Sequence, residues 1–320
     1  MKKPYEKPAL LCEELRPEEL LCGCAAPLET GEKQFSFTDS LENEVFLDKT
    51  PENVAVLFSS YAEIWKLAGG EVAVTVGESV ERGFASEDTV LVDSGAGKTI
   101  DMELLLAARP DFVIGSADID AQVEACRLLQ QAGIPAALFR VDTFADYLWM
   151  LEICTNITGN AQAYDTYGDK VKGRIDALLE ATQAQTVEPK NILFIRAGSQ
   201  YSATKAKRAP DHFACIMLEE LGAINIADRA DVLLDGLSLE EILLRDPDHI
   251  FLTTMGNEQA AIGYIEELFA QDGWKELAAV KAGKYAFLPK ELFHFKPNAR
   301  WAEAYELLAK LLYPELTIGE

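Results

Sequence analysis

Apolar residues along this chain gather in short unbroken runs, with stretches of helical spacing between them. Val54–Phe58, Val72–Val76, Phe112–Gly115 and Ala136–Arg140 read as strands buried on both faces, the pattern of a parallel sheet. Ser59-Ser60-Tyr61 reads as a polar turn after the first of them, followed by a helix over Ala62–Leu67 that Gly69-Gly70 ends. Ile119–Ala132 has helical spacing. Ahead of these, Phe35–Asp39 and Glu44–Leu47 alternate apolar and polar residues around Asn43, as a short hairpin does. Strands alternating with helices predict an α/β fold with a largely parallel sheet.

The alternation then stops. Phe144–Ile157 is helical, Gly159-Asn160 breaks it, and Ala161–Ala184 resumes with Tyr164, Tyr167, Val171, Ile175, Leu178 and Leu179 on one stripe. At about 1.5 Å per residue that second stretch makes a rod of roughly 36 Å. After Pro189 the α/β pattern starts again. Ile192–Ile195, His249–Thr253 and Tyr285–Leu288 read as strands, His212–Leu221 and Ala302–Leu312 as helices.

An internal repeat argues for two similar lobes. Ile100–Ile114 (IDMELLLAARPDFVI) aligns with Leu237–Phe251 (LSLEEILLRDPDHIF), pairing Glu103 with Glu240, Leu106 with Leu243, Pro110 with Pro247 and Asp111 with Asp248. Each copy reads as a short helix, a Pro-Asp turn and a buried strand. Asp101 is the expected cap of the first helix. Ser238 with Glu241 is the expected capping box of the second, so Glu103 and Glu240 both fall in a first helical turn.

Composition narrows the function. The 320 residues carry 29 basic and 53 acidic side chains, a net charge of −24, which argues against nucleic acid as a partner. No apolar run is long enough to span a bilayer. Cys12, Cys22 and Cys24 crowd the N-terminus, and Cys126, Cys154 and Cys215 sit among apolar neighbours as small buried hydrophobes. Neither their spacing nor that of His212, His249 and His294 makes a zinc site or a catalytic set. Residues 1–34 read as a polar segment, possibly disordered, without the apolar core of a signal peptide. Gly95-Ala96-Gly97-Lys98-Thr99 ends like a phosphate-binding loop, but Val92 stands where its first glycine belongs.

The order of several motifs resembles one family. They are the Phe37–Val45 hairpin, the repeated Glu…Pro-Asp, Gly133-Ile134-Pro135 before a strand, Leu221–Ala227 (LGAINIA) and the long central helix. Over about residues 35–315 the chain is similar to the substrate-binding proteins of ABC importers for iron-siderophores, haem and cobalamin. That resemblance implies two three-layer α/β lobes joined by a single long rigid helix, with the ligand cleft between them. The implied domains are an N-terminal lobe over 35–157, an inter-lobe helix over 158–188 and a C-terminal lobe over 189–320. It implies a non-enzymatic, monomeric carrier that needs no cofactor, is extracytoplasmic and membrane-associated, and works with ABC permease subunits. Its cargo would be an iron-siderophore, haem or a corrinoid. It implies permease docking by Glu103 and Glu240. An intracellular tetrapyrrole- or metal-handling protein without a transporter is the alternative.

Ligands of open α/β sheets bind beyond the carboxyl ends of the strands. That rule nominates Ser59, Ser60, Tyr61, Ser116 and Asp118, with Asp142 and Thr143, in the first lobe. In the second it nominates Arg196, Ser199, Tyr201, Met255 and Asn257. The stretch from Phe293 to Trp301 adds His294, Lys296, Arg300 and Trp301, an aromatic and basic mixture suited to an anionic ligand. Arg196, Lys205, Lys207, Arg208, Lys296 and Arg300 form a locally basic set in an acidic chain, and arginine forks suit carboxylate or catecholate oxygens. Tyr61, Tyr201 and His294 are the candidate iron ligands.

Overall fold

The computed structural model describes residues 34–184 and 189–315. The expectations for the N-terminal segment and its three cysteines lie outside these. The chain forms two compact units. The first runs to Arg140 and includes Trp149–Ala163; the second holds Val141–Leu148 and continues from Tyr164.

The first unit opens on a hairpin of β1 (Phe35–Thr38) and β2 (Glu44–Leu47). Asp39 holds its turn: one carboxylate oxygen accepts from the backbone N–H groups of Leu41 and Asn43, each at 2.9 Å. Five parallel strands follow, β3 (Val54–Val56), β4 (Val74–Val76), β5 (Val90–Asp93), β6 (Phe112–Ser116) and β7 (Ala136–Phe139), in the order β5-β4-β3-β6-β7. The other oxygen of Asp39 accepts from the Leu138 N–H at 3.0 Å, tying the hairpin to β7. The helices are α1 (Ser59–Leu67), α2 (Gly77–Glu81), α3 (Met102–Ala107), α4 (Asp120–Gln131), α5 (Phe144–Thr158) and α6 (Ala161–Tyr164). Leu57, Val76, Val113 and Leu138 pack with Leu105, Cys126 and Leu129 on one side of the sheet. Aromatic contacts of Phe112 and Phe139 with Phe37, Tyr61 and Trp65 fill the other.

Two local expectations need correction. Ser59-Ser60-Tyr61 is the first turn of α1, not a loop, because Phe58 is already the extended N-cap. Strand β5 was not foreseen, since Val90 and Leu91 at this sheet edge are 43% and 37% exposed and make no buried run. The loop after β5 explains why Gly95–Thr99 is no phosphate cradle. The Asp93 carboxylate accepts from the backbone of Gly97 at 2.6 Å and Gly95 at 3.1 Å, and from the Thr99 hydroxyl at 3.1 Å. The loop's donors already hold an anion of the protein's own.

In the second unit, helix α7 (Lys170–Ala184) continues α6 through a π-helical turn at Asp165–Asp169. The Tyr147 hydroxyl donates to the Tyr167 carbonyl in that turn at 3.0 Å. The strands are β8 (Asn191–Ala197), β9 (Lys205–Ala206), β10 (Ile224–Asn225), β11 (His249–Thr254) and β12 (Tyr285–Phe287). Parallel order is β10-β8-β11-β12, with β9 antiparallel to β8. This matches β4-β3-β6-β7 of the first unit strand for strand. The helices are α8 (Phe213–Glu220), α9 (Val232–Asp235), α10 (Leu239–Arg245), α11 (Glu258–Phe269), α12 (Ala278–Lys281), α13 (Lys290–Phe293) and α14 (Trp301–Leu312). Leu193, Ile195, Ile250 and Leu252 pack against α11 residues Ala261, Ile265 and Leu268.

The repeat has a physical reason. Asp111 sits at the start of β6 and its carboxylate accepts from Glu52 and Asn53 N–H at 2.8 and 2.9 Å, just ahead of β3. Asp248 at the start of β11 accepts from Asn191 N–H at 2.9 Å, at the start of β8. Each aspartate clamps the neighbouring central strand in register. Asp101 caps α3 as expected, accepting from Glu103 and Leu104 N–H at 3.0 Å. The capping box expected at Ser238 does not form: its side chain makes no cap bond, and Glu241 pairs with Arg245 at 2.5 Å.

Candidate functional site

The nominated residues of the first unit are engaged within it. Ser59 is buried and its hydroxyl donates to the Glu78 carboxylate. It also accepts from the Arg82 guanidinium at 2.9 Å, which reaches Ser60 at 3.1 Å and Glu63 at 3.4 Å. Burial lowers the pKa of Arg82, and the nearby Glu63 and Glu78 offset that only in part. Tyr61 is 1% exposed, and its hydroxyl donates to the Phe139 carbonyl at 2.9 Å. Ser116 is buried and accepts from the Asp118 N–H at 3.2 Å. Asp118 itself pairs with Arg140 at 2.6 Å. Thr143, nominated with these but placed in the second unit, closes a reciprocal cap with Asp146 at the start of α5.

The second unit is different. Around the carboxyl end of β8, positive side chains converge on one aromatic floor. Arg196 lies opposite Lys205 in the antiparallel pairing of β8 with β9, and Lys207 follows two residues on, on the same face. None of the three forms an ion pair among the described residues, and the buried Arg196 Nε has no hydrogen-bond partner. Two residues back along β8, Phe194 contacts the His212 ring with centroids 4.7 Å apart. His212 stacks on Phe213 at 4.9 Å, and Phe213 meets Trp301 edge-on at 5.5 Å. Lys296 Nζ stands 5.2 Å over the Phe213 ring and 3.1 Å from Asp142.

His212 records how strongly these charges converge. Its pKa is pushed down to about 3, first by burial and then by Lys296, Arg196, Lys207 and His294. The imidazole is therefore neutral. Its Nδ1 accepts from the Ala214 N–H at 3.1 Å as the N-cap of α8, so its proton sits on Nε2, a donor that makes no hydrogen bond among the described residues. Beside it Trp301 is fully buried with its indole N–H unpartnered. Thr253, paired in register with Arg196, and Thr254 keep buried hydroxyls without partners. Buried polar groups are almost always satisfied, so these unsatisfied atoms make this end of β8 the candidate site.

The remaining nominees lie apart from this cluster or are otherwise engaged. Ser199 is exposed, and Tyr201 is 54% exposed, with its hydroxyl leaning over Gly236. Met255 is exposed, and Asn257 caps α11 by accepting from Ala260 N–H at 3.0 Å. His294 is exposed and meets Phe295 edge-on at 4.9 Å, and of these nominees it is the one near enough to His212 to act on its charge. Arg300 grips Glu303 with two bonds of 2.7 Å. Among the described residues no group of three His, Cys, Asp or Glu is placed to hold a metal. Glu103 and Glu240 are exposed in the first turns of α3 and α10. His212 was absent from the nominated set. Its only sequence signal is a histidine directly before a helix and five residues after a lysine, which carries no meaning until β9 folds back on β8.

A family model described as periplasmic binding protein matches residues 54–292. No curated protein matches the chain. Solved structures do. SirA of Staphylococcus aureus, complexed with staphyloferrin B, is 17% identical with a TM-score of 0.66, over 89% of this chain and 99% of its own. The periplasmic heme-binding protein RhuT of Roseiflexus sp. RS-1 is 18% identical with a TM-score of 0.65, over 83% and 99%. The TroA-like periplasmic binding protein FepB of Veillonella parvula is 17% identical with a TM-score of 0.70, over 89% and 92%. At these identities the likeness is one of fold.

Proposed function

The chain belongs to the periplasmic binding protein family, and from that premise we propose that it is the substrate-binding component of an ABC importer for an iron chelate. It takes up a siderophore or haem as cargo, leaves it chemically unchanged and hands it to a permease. The observation that carries this reading is the convergence of unpaired cations and orphaned donors at the carboxyl end of β8, where open α/β sheets bind ligands. The fold likeness to proteins described with staphyloferrin B and with heme supports the choice of cargo.

Glu103 and Glu240 are the proposed permease contacts. They occupy equivalent positions of the repeat, both exposed, and each is followed by an exposed leucine three residues on, Leu106 at 47% and Leu243 at 40%. A repeated acid beside a repeated apolar side chain suits a partner with two similar faces. The proposed carrier acts as a monomer outside the cytoplasm. No helix among the described residues is long and apolar enough to cross a membrane.

The test is a titration of the full chain with haem, a ferric hydroxamate, a ferric catecholate, ferric citrate and cobalamin, followed by tryptophan fluorescence and visible absorption. Saturable binding of an iron chelate with Kd below about 1 μM, recovered unchanged, supports the reading. Cobalamin alone binding would move the cargo to a corrinoid. Conversion of any chelate to a product would replace the carrier with an enzyme.

A further inference from the structure

We propose that the second unit selects a polyanionic, oxygen-rich chelate through Arg196, Lys205, Lys207 and Lys296, with the His212 Nε2–H as a fifth donor. This deepens the carrier reading above and rests on it. The argument begins with cost. Arg196 opposite Lys205 in an antiparallel pair is a repulsive arrangement, and Lys207 extends it on the same face. In a chain of net charge −24, acids are abundant, and yet none among the described residues forms an ion pair with these three. Lys296 has a single acidic partner among the described residues, Asp142, at 3.1 Å. Burial and the neighbouring Arg196 lower the pKa of Lys207, while Asp211 partly offsets them. A fold that only needed a stable surface would place an acid here. A site that must receive one leaves the place open.

Two further observations sharpen the ligand. The donors differ in kind: forked guanidinium, mobile ammonium and a fixed neutral N–H, a set suited to several oxygens at different distances. The floor beneath them is closed. Phe213 is 6% exposed and Trp301 0%, packed edge to face, so neither ring offers an open face for a flat macrocycle to stack on. Carboxylates or catecholate oxygens arrayed around a ferric ion fit this arrangement; a neutral hydroxamate chelate leaves the cations unpaired. His212 acts as a specificity residue, held in place by the Ala214 N–H and kept neutral so that it donates at any pH above the acid range.

The test uses the full chain and measures Kd for ferric citrate, a ferric tris-catecholate, a neutral ferric hydroxamate, haem and metal-free citrate, each at 50 and 500 mM salt. The two anionic ferric chelates separate carboxylate from catecholate chemistry. The expected result is tightest binding of one of them, weakened at least tenfold by high salt and at least tenfold by Arg196→Gln or Lys207→Gln. His212→Asn keeps the N-cap acceptor and removes the reach of Nε2, and should weaken anion binding about fivefold, read well below the variant's own thermal midpoint because the ring's packing on Phe194 and Phe213 is lost with it. Tightest binding of the hydroxamate or haem, unaffected by salt and by Arg196→Gln, would overturn this inference while leaving the carrier reading intact. Binding of metal-free citrate at the same residues with no ferric chelate retained would keep the anion site and remove the carrier. Silence from every ligand would overturn both.

Discussion

Acidification should destabilise the second unit through His212, by an amount the geometry fixes. In the folded protein the imidazole titrates at about 3, and in the unfolded chain near its ordinary 6.5. A histidine held neutral by the fold contributes stability above its unfolded pKa and loses it as pH falls. Between pH 7 and pH 5 the unfolded state takes up a proton that the folded state refuses. The difference, about 1.5 pH units at roughly 1.36 kcal/mol each, is about 2 kcal/mol. The figure at pH 5 is insensitive to the folded value, because a folded pKa of 3 or of 4 leaves the group equally unprotonated there. His212→Asn removes the titration but keeps an acceptor for the Ala214 N–H. Urea unfolding of both proteins at pH 7 and pH 5 isolates the effect from every other acid-sensitive group. Trp301, one ring away across Phe213, reports the local transition by fluorescence. The native chain should lose about 2 kcal/mol more than the variant on going to pH 5. Equal losses would refute the claim that the cations and burial hold His212 neutral.

Other consequences follow from single contacts. Asp111→Ala removes two backbone bonds ahead of β3 and Asp248→Ala removes one ahead of β8. Urea midpoints should show losses of about 2 and about 1 kcal/mol respectively. Glu220 accepts from the Tyr305 hydroxyl, and desolvation of the carboxylate raises its pKa despite that bond. A raised carboxyl stabilises only while protonated, so stability should fall as pH rises through its elevated pKa, and Glu220→Gln should abolish that slope in a pH series of thermal midpoints. Glu103→Ala and Glu240→Ala should leave chelate affinity and stability unchanged and together cut permease-dependent uptake at least tenfold; unchanged uptake would remove them from the docking surface.

The fold was largely legible because its sheets are parallel and buried on both faces. Such strands are continuous apolar runs, and Val54–Val56, Phe112–Ser116 and His249–Thr254 announce themselves. Edge and short strands do not: β5 is half exposed, and β9 and β10 span two residues each. The site was harder to read. The rule of strand carboxyl ends led to Arg196, and the basic count led to Lys205, Lys207 and Lys296. It also nominated Ser59, Ser60 and Tyr61, whose commitments to Glu78, Arg82 and the Phe139 carbonyl are set by chain segments 19 to 78 residues away in sequence. His212 escaped because its importance comes from four charges brought round it by β8, β9 and the stretch after α13, none near it by pattern alone. Local signals reveal elements; the electrostatics of a site appear only when elements distant in sequence meet.

The most direct test of the central claim is native mass spectrometry of the full chain mixed with equal amounts of ferric citrate, a ferric catecholate, a ferric hydroxamate, haem and cobalamin. One adduct should form, at one ligand per chain, carrying iron and an anionic oxygen chelator of unaltered mass. A bare chain at every concentration, or an adduct whose ligand has changed mass, would contradict the account.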